Sequence, residues 1–263
     1  MSAAAHLGMI ASLRRVRLIA RHTLGEALHL RLTLLFVFLG GGLIVGALGL
    51  REFNFGGAEL KFIGDFGLGT LGAFGTMLAA LATAQLFFSE IQGRAAYCVL
   101  TRPVRRGEYI WGKFAGMAAL LALFTMSLGA LIAALLVWRG GQLGVPSAPL
   151  PVFFCACAVQ WLKLTLVSAM TLLVCSYAGS ALFASCAGII LTGVAHLRPL
   201  VAGSGGKFWL RAWPDLTVFD AESLLAASRL PAAAVLCATV GYWAVYVVAF
   251  SALAAFIFKR REF

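Results

Sequence analysis

Six long apolar runs constrain this chain more than any other feature: Leu32–Leu50, Phe66–Phe88, Phe114–Trp138, Leu150–Ala178, Ala181–Leu197 and Ala232–Phe258. Most reach the length of about 18 residues at which an uninterrupted apolar stretch reads as a bilayer-crossing helix. Hydrophobic residues make up 62% of the chain and charged residues 12%. A soluble domain has too little interior to hide that much apolar surface. The expected fold class is an all-α integral membrane protein. Its single transmembrane domain of six helices covers residues 32–258, behind an amphipathic N-terminal helix over 1–31. The links are a charged loop at 89–113, a long loop at 198–231 and a tail at 259–263.

The charge supplies a direction. Arg14, Arg15, Arg17, Arg21, Arg31, Arg94, Arg102, Arg105, Arg106, Lys113, Lys259, Arg260 and Arg261 fall on links that share a side with the N-terminus. Arg51, Lys61, Arg139, Arg198, Lys207, Arg211 and Arg229 fall on the other side, which leaves Lys163 inside the fourth run. Basic residues concentrate on the cytoplasmic side, so both termini are expected there. The net charge of +11 then reflects orientation in an anionic membrane, with lipids and not nucleic acid as the partner.

Before the first run, Leu13, Val16, Ala20, Leu24 and Ala27 form an apolar stripe at helical spacing. Arg14, Arg15, Arg21, His22, Glu26 and His29 occupy the other side, as in a helix lying in the headgroup plane. A basic flank that merely orients the next helix is the alternative. The layout of a signal peptide is absent.

The loop Ser89–Lys113 reads "SEIQGRAAYCVLTRPVRRGEYIWGK". Water reaches a loop, which explains charge there but not its order. Pro103 breaks any helix before it, and Gly112 lets the next helix start close to a neighbour. The pattern predicts a short helix along the membrane surface that displays Arg102, Arg105 and Arg106.

These residues resemble the ABC-2-type permeases, the membrane subunits of ATP-binding cassette exporters. The resemblance rests on Glu90 closing the second helix, on "LTRPVRRGEYIWGK" from Leu100 to Lys113, and on "WPDLTVFDAESLL" from Trp213. The final "YWAVYVVAFSALAAFIFKRREF" resembles the same family's last helix. The likeness covers most of Phe62–Lys113 and Trp213–Phe263. It implies that Glu90, Arg94, Arg102, Pro103, Arg105, Arg106 and Lys113, with the N-terminal helix, form a coupling surface for the ATPase. It also implies two ATP-binding subunits that hold ATP and Mg, and a second permease copy or homologue. The expected location is a bacterial-type cytoplasmic (inner) membrane, and the expected activity is export of a substrate that the sequence does not identify, with a hydrophobic or lipid-like one compatible. No cofactor is expected in this chain.

Other features are weighed on their chemistry. "GSGGK" from Gly203 to Lys207 lacks the first Gly of a phosphate loop, where Val201 stands, and Phe208 follows the Lys. Energy must therefore come from another polypeptide. Lys163, beside Gln160, is the one charge well inside a run, at a cost of roughly 2.5–3.5 kcal/mol on insertion scales if central. It is read either as a membrane-embedded polar site with Gln160 or as a snorkelling side chain near the outer edge. The fourth run would span about 43 Å as a helix, longer than the ~30 Å core, so Pro149 and Pro151 suit an interfacial entry. Asp65 is expected to cap a helix start and His196 to be solvated. The Gly pairs 42/46 and 112/116, and Gly69, Gly72 and Gly75, are read as helix-packing positions. The six Cys are read as packing residues, since Cys155 and Cys157 do not share a helix face.

Two other classes remain. An ion-driven carrier or channel would want several polar residues at mid-membrane, where only Gln160 and Lys163 stand. A lipid-modifying enzyme would gather acids or His at the membrane edge, whereas the ten acids scatter.

Overall fold

The computed structural model describes residues 3–52, 59–92, 106–144, 149–202 and 213–260. Helix α1 is Ala3–His29 and α2 is Arg31–Gly46, running into a 3-10 turn at Ala47–Glu52. Then come α3 (Glu59–Gln92), α4 (Arg106–Leu143), α5 (Leu150–Tyr177), α6 (Ala181–Ala202), a 3-10 turn at Leu216–Phe219, α7 (Ala221–Ala227) and α8 (Ala233–Arg260). Six of these helices are long and apolar enough to cross a membrane, and no strand occurs among the described residues. A helix satisfies its own backbone hydrogen bonds, which is why lipid admits it. The chain is a multi-pass integral membrane protein.

The helices outrun the apolar runs. α3 begins seven residues before Phe66, at Glu59, and α4 begins eight before Phe114, at Arg106. Charge ends a hydrophobic run but not a helix, because Glu, Lys and Arg are good helix formers once they find water or a partner. Asp65 is consequently no cap. It lies inside α3, with Oδ1 buried and without a hydrogen bond. α5 is one unbroken helix from Leu150, about 42 Å at 1.5 Å per residue. Pro151 sits in its first turn, where a missing N–H costs nothing.

α3 and α5 bury most of their length and form the centre of the bundle. α2, α6 and α8 leave most of theirs exposed, with Phe38, Leu182, Ile190, Val245 and Phe256 pointing outward as lipid-facing residues do. Glycines set the closeness of the central pair. A Cβ at Gly72 would meet Gln160 Nε2 at 2.8 Å, and one at Gly75 would meet Leu164 Cδ1 at 2.6 Å. Gly72 and Gly75 thus form a groove on α3 that receives α5, while Gly69 of the same repeat faces Glu222. Gly42 and Gly46 have nothing within 4 Å of an added Cβ, so no helix among the described residues packs against them. Of the cysteines, Cys157 and Cys175 are buried as packing residues, but Cys186 and Cys237 are exposed on outer helices, and Cys98 lies outside the described residues.

Polar bonds tie the bundle inside. Thr83 and Ser168 hydroxyls are 2.9 Å apart between α3 and α5, and Trp243 Nε1 donates to Thr165 Oγ1 at 2.9 Å between α8 and α5. Far from the termini, Arg139 of α4 donates to Glu59 Oε1 of α3 from Nε (2.9 Å) and Nη2 (2.6 Å), and also to Gln142.

Candidate functional site

Two constellations stand out, at opposite ends of the bundle. The first is at the end carrying α1, the close of α3, the start of α4 and the close of α8. α1 lies along α4 in the most extensive helix pairing among the described residues. A Cβ at Gly112 would sit 2.7 Å from Ile19 Cβ, and one at Gly116 would sit 2.7 Å from Thr23 Cβ and 2.8 Å from Ala20 O. The two glycines therefore let the α1 backbone rest directly on α4. This seam moves the expected stripe round the helix. Thr23 and Ala27 are buried and Ile19 meets Gly112, while Leu13 is 62% exposed. Part of the face expected to meet lipid is spent on α4.

Charge locks the seam. Arg15 Nε donates to Glu108 Oε2 at 2.8 Å and its Nη2 to Oε1 at 2.9 Å, a two-pronged pair across 93 residues of sequence. Glu108 is only 8% exposed. One turn further along, Lys113 is 2% exposed and donates from Nζ to Leu86 O of α3 at 2.8 Å. It lies 4.0 Å from Glu26 Oε2 of α1 and 5.9 Å from the Tyr109 ring centre. Tyr109 stacks on Phe258 of α8, and Phe258 meets Phe87 of α3 edge-on. Four helices thus meet at one charged and aromatic joint.

The expected coupling residues divide accordingly. Lys113 is inside the joint, where it binds helices together and offers no ammonium at the surface. Glu90 and Arg106 stand at the ends of α3 and α4, with side chains outside the described residues. Arg94, Arg102, Pro103, Arg105 and the expected surface helix lie outside the described residues as well. Sequence reasoning missed Arg15, Glu26 and Glu108 as parts of this joint. Their only signal was an acid two residues after a basic cluster.

The second constellation is a cavity of about 230 Å³ near the other end, between α3, α5 and α6 and under α7. Lys163, Gln160, His196, Glu222 and Thr76 line it, together with Gly69 and Gly72. Gln160 is 3% exposed, and its Nε2 has no hydrogen-bond partner among the described residues. His196 is half-buried on this cavity, and Thr192 O one turn back lies 3.2 Å from its Nδ1. A carbonyl only accepts, so Nδ1 holds the hydrogen and Nε2 of the neutral ring is an acceptor.

α7 is present, as its sequence suggests, because Asp220 Oδ1 accepts from the backbone N–H of Glu222 (3.1 Å) and Ser223 (3.2 Å). That cap brings Glu222 over Gly69, where an added Cβ would come within 3.3 Å of Oε1. Burial pushes the Glu222 carboxyl above the usual range, and the neighbouring Asp220 and Asp65 push it further, while Lys163 opposes them. No group of three or more metal-ligating side chains occurs among the described residues.

A family profile described as "ABC-2 family transporter protein" matches residues 28–195, from the end of α1 into α6. The chain belongs to the ABC-2 transporter family. No curated protein matches it. The match spans both constellations except for most of α1, His196, α7 and α8. ABC-2 membership makes the chain a transporter membrane subunit, a permease that associates with ABC ATP-binding subunits.

Proposed function

We propose that this ABC-2 permease is a lever worked by ATP hydrolysis in a separate chain, with the α1–α4 joint as its input. The observation that carries this reading is the locked seam: Arg15 on Glu108, α1 backbone on Gly112 and Gly116, and Lys113 bridging to α3. A push on α1 or on the 93–105 link reaches α3, α4 and α8 together, because interfaces packed this tightly shift as units. Arg94, Arg102 and Arg105, with Glu90, Pro103 and Arg106, form the docking surface in this reading, and Lys113 passes the force inward.

Both termini face the cytoplasm of a bacterial-type inner membrane, as the excess of Lys and Arg at this end supports. Two ATP-binding subunits, which hold ATP and Mg, serve two permease subunits, identical or homologous. The cargo moves outward and is amphiphilic, which the mainly apolar bundle with a polar cavity supports.

The test is the double variant Arg102→Glu with Arg105→Glu, reconstituted with its ATP-binding subunit. Assembly without stimulated ATP hydrolysis is the expected result. Full stimulation and full transport by the variant would remove the coupling assignment.

A further inference from the structure

We propose that the cavity at Lys163 binds a zwitterionic head group, its oxyanion held by Lys163 and Gln160 and its ammonium by Glu222. The proposal rests on the permease reading and names the chemistry of the cargo or of a lipid ligand at its entrance.

Three observations carry it. First, Lys163 and Glu222 line one cavity and feel each other's charge, yet among the described residues neither side chain has a hydrogen bond or an ion-pair partner within 4.0 Å. Unlike charges held apart across a gap suit a ligand that carries both signs in reverse order. Second, the Gln160 amide N–H group is buried with no acceptor. An unmade donor costs about 1–3 kcal/mol, which a ligand oxygen would recover. Third, the fold goes to some length to build the space. Gly69 and Gly72 clear α3 away from Glu222 and Gln160, and the Asp220 cap presents Glu222 over the opening.

The acceptor side is the richer one at the lip. His196 offers Nε2, and Asp65 and Asp220 stand close enough to act on Glu222. The donor side is the α5 wall, Lys163 and Gln160 one turn apart. Size agrees. At roughly 30 Å³ per water, 230 Å³ holds about eight waters, enough for a phosphate or carboxylate with a short amino arm. It is below the 300–1,000 Å³ of pockets that enclose a drug-sized molecule. The rest of an amphiphile would stay outside.

Detergent-purified, delipidated protein is titrated by calorimetry with phosphoethanolamine, inorganic phosphate, ethanolamine and a short-chain phosphatidylethanolamine. Phosphoethanolamine is expected to bind about tenfold or more tighter than phosphate or ethanolamine, as an added charge-assisted contact implies. Glu222→Gln, at an exposed position, should bring it down to the level of phosphate. Lys163→Gln should bring it to the level of ethanolamine, and Lys163→Arg should retain binding. Tighter binding of the short-chain lipid assigns the head to a membrane amphiphile, and equal binding assigns it to a soluble zwitterion; both uphold the proposal. Equal affinity for phosphate, equal affinity for ethanolamine, or no binding by any probe overturns it. The titration needs no ATP-binding subunit, so its failure leaves the permease reading intact, whereas failure to assemble with that subunit would remove the reading and not the site.

Discussion

Gly116→Ala is the smallest change that strikes the joint. The new Cβ would lie 2.7 Å from Thr23 Cβ, 2.8 Å from Ala20 O and 3.0 Å from Thr23 Cγ2. Comfortable carbon contacts lie at about 3.5–4.0 Å, so α1 must retreat by about 1 Å. Two of the three obstacles are a backbone oxygen and a Cβ, which no rotamer change can move. Overpacking of this sort costs about 1–3 kcal/mol, and the helix preference of Ala over Gly returns about 0.5–1. The net expectation is a loss of roughly 1–2 kcal/mol. Gly42→Ala is the control, since nothing lies within 4 Å of its added Cβ and only the helix preference operates. Thermal melts in detergent should place Gly116→Ala below the wild type and Gly42→Ala at or above it. ATPase stimulation should fall in Gly116→Ala alone. If both variants melt together, α1 does not rest on α4 and the input joint is misassigned.

Charge exchange tests the same seam by another route. Arg15→Glu should weaken stimulation, and Arg15→Glu combined with Glu108→Arg should restore much of it, read as ATP hydrolysis by the reconstituted complex. At the far end, Glu59→Ala leaves the Arg139 guanidinium, 8% exposed, without its carboxylate. A loss of about 3 kcal/mol in the melt is expected, since removing one partner strands a buried charge.

The six crossings were legible because lipid imposes a length and a composition that sequence displays directly. The glycine groove on α3 was legible for a similar reason, as the repeat of Gly69, Gly72 and Gly75 is visible without a structure. The joint was not. Arg15 and Glu108 are 93 residues apart, and nothing in either neighbourhood names the other. Lys113 was read as a loop residue because it stands just before an apolar run, yet α4 starts seven residues earlier and carries it into the bundle. Asp65 misled in the same way, since α3 opens at Glu59 and passes straight through it. For Lys163 the sequence left two readings open. The structure places it on a polar cavity with Gln160, His196 and Glu222, two of which lie on helices the sequence does not tie to it.

ATP hydrolysis measured in proteoliposomes, with the cognate ATP-binding subunit alone and then with this chain, tests the central claim most directly. The lever account predicts slow hydrolysis by the subunit alone, a marked rise when the permease is added, and none by the permease by itself. A rate indifferent to the permease, or solute movement by the permease without any ATP-binding subunit, would contradict it.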